Sequence, residues 1–419
     1  MKKRRIGHPD GRTSLLDELS RRGFLEQALL GGAALAANGL ASGAAAATTA
    51  ATAAPVTATP AASSTSAATT RRSNAIDVKR DGTYSSVALA KDSVRVGVMQ
   101  TRLRPVNGAN PAPMKKENLD HMLTLIQNAQ EWNPPSDILF FHEFPVTGFS
   151  YDWSRKDINR LAIETPGPET EALGALAQKY SCYIVFGSYV NDRDWPDHII
   201  SQTTLMGPNG RIVDKHWKAR NIMGVFATGA TPIELMTSTV YNCLDRYIEM
   251  YGADAVIPVT RTPLGNLCTS SVQREPELFR AMALKGGEIF LRTASGGFTP
   301  WDIQACAAYN QVYAAVCNNA VSPGNNFFED AGGGGSAIYA PSGTPIAVAA
   351  SEHEQLVAGT IPIRDYRARH RLPEYAWPLY QPVMELYQPK YPPSKLSKYL
   401  PKDLKDSARY LRDKSNVNW

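Results

Sequence analysis

Asp137-Ile-Leu-Phe-Phe-His-Glu143-Phe-Pro-Val-Thr147-Gly148-Phe149 is the stretch on which the reading of this 419-residue chain turns. Its run of four apolar residues, Ile138 to Phe141, predicts a short strand buried on both faces. The strand ends in a carboxylate, Glu143, and Pro145 and Gly148 then turn the chain away. Upstream, Val94 to Gln100 also reads as a buried strand, and Glu117 to Gln130 places Leu119, Met122, Leu123 and Ile126 at helical spacing. The opening is therefore strand, helix, strand. Downstream the alternation continues: helix over Glu169 to Tyr180, strands over Tyr183 to Val190 and Gln202 to Met206, and a turn at Gly207-Pro208-Asn209-Gly210. A helix is expected over Thr237 to Tyr251, with Val240, Leu244, Tyr247 and Ile248 on one side. A strand is expected over Asp254 to Thr260, a helix over Pro276 to Lys285, a strand over Glu288 to Thr293 and a helix over Trp301 to Tyr313. Such alternation predicts a layered α/β domain.

The ends of the chain differ from this body. Residues 1–47 carry +3 of the net charge of +5, so the remainder is nearly neutral and holds no basic stripe for nucleic acid. Within them Ser20-Arg21-Arg22-Gly23-Phe24-Leu25 and the Ala/Gly-rich run after Ala28 fit a twin-arginine signal peptide. Export to the periplasm or the outside, with no stable membrane span after signal removal, is the expected localisation. Residues 48–90 are rich in Ala, Thr, Ser and Pro and predict a disordered linker. A globular domain is expected over 91–365 and a C-terminal extension over 366–419, either a solvated tail or, as its tyrosines and Trp377 favour, a surface that wraps a partner subunit. The five cysteines are odd in number and scattered, with no Cys-x-x-Cys pair and no histidine cluster, which excludes a disulfide framework and a zinc site. At least one thiol is expected to be free, and most to pack in the core.

Four segments resemble the nitrilase (carbon–nitrogen hydrolase) superfamily, and in feel the aliphatic amidases. They are the Glu143 stretch; Gly210-Arg-Ile-Val-Asp-Lys-His-Trp-Lys218; Pro276-Glu277-Leu-Phe-Arg280 through Lys285-Gly286-Gly287-Glu288 to Arg292; and Gly335-Ser336-Ala337-Ile338 with Pro341-Ser342-Gly343. The resemblance implies a four-layer α-β-β-α sandwich, usually dimerising through its helical faces, so a homodimer or higher homo-oligomer is expected. It also implies a small-molecule amide or nitrile-like substrate, and chemistry without cofactor or metal.

Hydrolysis of such a bond needs a nucleophile, a base to activate it, and a positive group for the charge that develops. By the resemblance Glu143 is the base and Lys218 the oxyanion stabiliser. The family's cysteine lies six residues before the Pro-Glu of the next helix, and here that position is Ser270, with Val272 where an acidic residue usually stands two further on. Cys268 lies two residues upstream, a displacement of about 6.6 Å along a strand. The family's second glutamate, about eight residues past the lysine, is replaced by Phe226, with Glu234 and Glu249 as candidate substitutes. His142 neighbours Glu143 but should face the opposite side of the strand. Two readings remain open: a C–N hydrolase using Ser270 or Cys268, and an exported nitrilase-fold protein that has lost turnover and serves as a binding or assembly module.

Overall fold

In the computed structural model, which describes residues 75–150, 153–221, 237–296, 298–325, 333–397 and 399–418, the buried run Ile138–Phe141 lies near the middle of a sheet. The elements in chain order begin β1 (Val94–Gln100), α1 (Ala112–Glu131), β2 (Ile138–Phe141), α2 (Arg155–Leu161), β3 (Ile163–Glu164), α3 (Pro168–Lys179), β4 (Tyr183–Asn191), β5 (Ile200–Met206) and β6 (Ile212–Trp217). They continue with α4 (Leu244–Tyr251), β7 (Thr260–Thr262), β8 (Gly265–Ser270), α5 (Pro276–Leu284), β9 (Ile289–Thr293), α6 (Pro300–Asn310), β10 (Tyr313–Cys317), β11 (Ala337–Tyr339), β12 (Pro345–Val348) and β13 (Gln355–Ile361). The helices α7 (Ile363–Arg369), α8 (Trp377–Leu386) and α9 (Leu404–Arg412) follow.

Two mixed sheets result. The first runs β13-β1-β2-β4-β5-β6, with β3 beside β4; the second runs β12-β11-β10-β9-β8-β7. Strands β1, β2 and β4 are mutually parallel, as are β8, β9 and β10, and each set is flanked by antiparallel strands. Alternate side chains explain the layering. Val96, Val98, Ile138, Phe140 and Val185 of the first sheet pack with Leu267, Ile289, Leu291 and Ala315 of the second. The opposite faces pack on helices: Leu139, Phe141, Ile184 and Phe186 on Met122, Ile126 and Leu173 of α1 and α3, and Cys268, Phe290 and Val316 on Phe279, Met282 and Ile303 of α5 and α6. The order is helix, sheet, sheet, helix, the α/β sandwich implied by the four segments.

Three expected elements differ. No strand spans Asp254 to Thr260: Gly252 at φ +83° and a 3-10 turn over Ala253–Val256 precede Pro258, which has no N–H for a ladder, so pairing starts at Thr260. The helix expected to reach Tyr313 stops at Asn310, where Gln311 turns left-handed (φ +55°) and lets the chain enter β10. The expected helix over Thr237 to Tyr251 is a 3-10 turn at Tyr241–Cys243 followed by α4. Residues 75–90, placed in the expected linker, are tied to the domain: Ala90 N–H donates to Pro263 O, Asn266 Nδ2 donates to Ser85 O, and Tyr84 Oη donates to Glu288 Oε1 at 2.9 Å. The twin-arginine segment, the earlier part of the linker, Phe226 and Glu234 lie outside the described residues. Among the described residues no helix is long and apolar enough to cross a membrane.

Candidate active site

β2 is buried along its whole length and ends against the carboxyl end of β9. Glu143 N–H donates to Ala294 O at 3.4 Å, and Gly187 N–H of β4 donates to His142 O at 3.1 Å. β4 passes so close that a Cβ on Gly187 would stand 2.5 Å from Glu143 O and 2.7 Å from its Cα. Only glycine allows that approach without moving the backbone of Glu143.

Lys218 follows β6 directly, its N–H donating to Ser201 O at 2.8 Å. Its ammonium donates to Glu143 Oε1 at 2.9 Å, and the two residues are 4% and 6% exposed. Side chains 75 positions apart in sequence therefore form one buried ion pair. A bond from Ser295 Oγ to Glu143 Oε2, 2.8 Å, occupies the other carboxylate oxygen.

The strands bearing Lys218 and Ser270 are tied together by His216. Its ring nitrogens lie 2.8 Å from Thr269 Oγ1 and 2.8 Å from Thr260 Oγ1, across the gap between the sheets. Thr260 gives its own proton to Asp214 Oδ2 at 2.7 Å, so it accepts from His216 Nε2.

Ser270 ends β8, paired with Arg292 of β9 in parallel register. Its hydroxyl accepts from Val272 N–H at 3.0 Å and faces Val272 O at 3.5 Å, closing a tight local turn. Neighbouring Ser271 Oγ lies 2.6 Å from Thr293 Oγ1. Cys268 is not brought to the ion pair. It is wholly buried in the helix-side core, in the space left by Gly287, whose Cβ would stand 2.5 Å from the sulfur. Burial pushes its thiol well above the ordinary range, so the thiolate is strongly disfavoured there.

Arg292, 3% exposed, donates Nε–H to Val272 O at 3.2 Å and lies 5.5 Å over the Phe298 ring. Its burial lowers the pKa, an effect opposed by Asp302 and Glu143. His142 is buried behind the carboxylate, accepts from Phe144 N–H at 3.2 Å, and is brought down to about 3 by desolvation, which keeps it neutral. Glu249, a candidate second glutamate, is exposed on α4. No group of His, Cys, Asp and Glu among the described residues is arranged to hold a metal ion.

Reading the sequence missed Ser295. The only local signal is a run of small residues, Ala294-Ser-Gly-Gly297, directly after a buried strand.

A carbon-nitrogen hydrolase family model matches residues 95–371. The bifunctional nitrilase/nitrile hydratase NIT4A of Lupinus angustifolius is 28% identical over 221 residues, 48% of this chain and 56% of that protein. The chain thus spans about half the length of this plant relative. The omega-amidase NIT3 of Saccharomyces cerevisiae is 23% identical over 65% of this chain and 88% of its own length. The solved structure of Saccharomyces cerevisiae Nit3 superposes with a TM-score of 0.51 at 18% identity, covering 73% of this chain and 99% of that one, a likeness of fold. With the sandwich complete and two thirds of its length matched by the family model, the chain belongs to the carbon-nitrogen hydrolase family.

Proposed function

We propose that the protein hydrolyses non-peptide carbon–nitrogen bonds of a small amide, with Glu143 as general base, Lys218 as the cation that receives the oxyanion, and a serine hydroxyl in place of the family's thiol. By sequence position that serine is Ser270. The observation that carries the reading is the buried Glu143–Lys218 pair at 2.9 Å. A carboxylate and an ammonium held together away from water suit an electrostatic site, because opposing charges act more strongly where solvent is excluded. As the base takes up a proton its charge vanishes, and the ammonium is released to the oxygen of a tetrahedral intermediate.

A binding module without turnover is the second reading, supported by the sealed Cys268 thiol and by the Ser270 hydroxyl spent on its own turn. Ammonia release separates the two. The full chain is incubated with a panel of short aliphatic amides and nitriles, beside Glu143→Gln and Lys218→Met variants. Release that falls at least a hundredfold in each variant supports hydrolysis, in keeping with loss of one general base or one oxyanion donor. No release from any of these compounds favours the binding module.

The proposal extends to export through the twin-arginine segment of residues 1–47, checked by N-terminal sequencing of secreted protein. It also extends to a homo-oligomer. No residue of α8 is buried, and Leu379, Val383 and Leu386 are 74%, 70% and 84% exposed. A ten-residue helix holds its shape poorly without a packed face, which supports a partner subunit over it. Sedimentation of the purified chain at monomer mass overturns that part.

A further inference from the structure

The geometry points to Ser295 as the nucleophile of this site. The inference rests on the hydrolase reading of the Glu143–Lys218 pair and names the group that its base activates. Ser295 Oγ donates to Glu143 Oε2 at 2.8 Å, within the range expected between a nucleophile and its base. The hydroxyl of Ser270, the positional candidate, bonds to Val272 N–H and Val272 O within its own turn, and the Cys268 thiol is closed into the helix-side core. Ser295 is also partly exposed, whereas Ser270 and Ser271 are 7% and 6% exposed, so a substrate reaches Ser295 more readily.

The loop holds this hydroxyl in place. On one side Ala294 N–H donates to Cys317 O at 2.8 Å and Ala294 O accepts from Glu143 N–H. On the other, Gly296 adopts φ +70°, its N–H donates to Asn319 Oδ1 at 2.6 Å, and its carbonyl accepts from Asn318 Nδ2 at 3.1 Å. Both neighbours of Ser295 are thereby tied to the end of β10, and a sharp turn after a buried strand presents the side chain between small residues. Such preorganisation lowers the entropy that attack must overcome.

The step balances without a co-reactant other than water. Glu143 takes the Ser295 proton as Oγ forms a bond to the amide carbon, and the carbonyl electrons move to oxygen, where the Lys218 ammonium holds them. The C–N bond then breaks, Glu143 returns the proton to the leaving nitrogen, and an acyl ester of Ser295 remains. Water, deprotonated by Glu143, attacks the ester; collapse expels Ser295 Oγ, which recovers the proton, and a carboxylic acid departs.

The test is covalent labelling of the full chain with an alkyl fluorophosphonate, followed by intact mass and peptide mapping. One adduct is expected, on the peptide carrying Ser295. It should be lost in Ser295→Ala and form about a hundredfold more slowly or worse in Glu143→Gln, as removal of a general base predicts. A Ser295→Cys variant guards against misfolding of the alanine form: its new thiol should react with iodoacetamide in the native state, at a rate that a second Glu143→Gln change reduces. An adduct on Ser270 that persists in Ser295→Ala overturns the assignment and leaves the hydrolase reading standing. So does ammonia release from amides that survives in Ser295→Ala. Absence of ammonia release from the wild-type chain sinks the hydrolase reading itself.

Discussion

Glu143 and Lys218 have given up nearly all contact with water and hold each other across 2.9 Å. Removing one partner of a buried pair leaves an uncompensated ion, at a cost of about 3–5 kcal/mol, whereas replacing both with apolar or neutral groups is far milder. Lys218→Met is therefore expected to lower unfolding free energy by that amount in urea titrations, and Glu143→Gln in the Lys218→Met background to restore much of it. Equal losses in the single and double variants would show that the pair does not share a desolvated environment. These two residues were legible in the sequence because each stands in a distinctive run of neighbours, Glu143-Phe-Pro after an apolar strand and Lys215-His-Trp-Lys218 after a Gly-Pro-Asn-Gly turn. Ser295 was not legible, since the bond that singles it out spans 152 positions and arises only when β9 is laid beside β2. The Cys268 alternative rested on strand periodicity, which correctly gives a face but not the depth of the core behind it. Periodicity cannot tell that Phe279, Met282 and Phe290 close over the sulfur.

At the scale of elements the position of the base depends on how tightly β2 and β4 approach. Gly187 N–H bonds to His142 O, and an added Cβ would meet the Glu143 carbonyl at 2.5 Å, a contact with backbone that no rotamer change relieves. Gly187→Ala should therefore push Glu143 away from both Lys218 and Ser295, with an overpacking cost of about 1–3 kcal/mol. The expected result is a larger fall in kcat than in affinity for substrate, read by steady-state kinetics beside thermal melting. Unchanged kcat would show that the strand yields elsewhere. Of the parallel strands, β1, β2, β4 and β9 were readable because burial on both faces makes them largely apolar runs, and β1 matches its expected span, Val94–Gln100, whereas β8, with Asn266, Thr269 and Ser270, and β10 were not. The failures share a cause of another kind. Ala255 to Val259 is apolar enough for a strand, but Pro258 and the left-handed Gly252 break it, and Lys285 Nζ takes the Asp254 and Ile257 carbonyls at 2.7 Å each. Those carbonyls are satisfied by a side chain of the following helix layer, a tertiary arrangement that hydrophobic patterning does not encode.

Across the whole molecule, buried histidines make stability depend on pH. Desolvation brings His142 down to about 3. It is also the main cause of the fall of His198 to about 4, helped by Arg155 and Arg246 and opposed by the Asp197 carboxylate. His370, between Tyr84 and Tyr366, is lowered in the same direction by burial, with Glu288 opposing. In the unfolded chain each binds a proton near pH 6.5. Between that value and the lowered folded one the unfolded state holds more protons, so stability rises with pH across this window and is lost as pH falls. Each histidine contributes a slope of up to about 1.4 kcal/mol per pH unit. The carboxylates Glu354 and Asp254, which burial raises but hydrogen bonds and neighbouring cations bring below the ordinary value on balance, lose their stabilising contribution only below about pH 4, where the unfolded chain begins to protonate. Melting temperature should therefore hold nearly level from pH 8 to 7, fall from about 6.5 downward, and fall more steeply once the carboxylates join. His198→Gln, which keeps a hydrogen-bonding group for Ser238 but cannot take a proton, should flatten the slope between pH 6.5 and 4.5 and leave the acid limb below pH 4 in place. A wild-type melting temperature that stays constant down to pH 5 would mean that these rings reach water or a carboxylate on protonation at little cost.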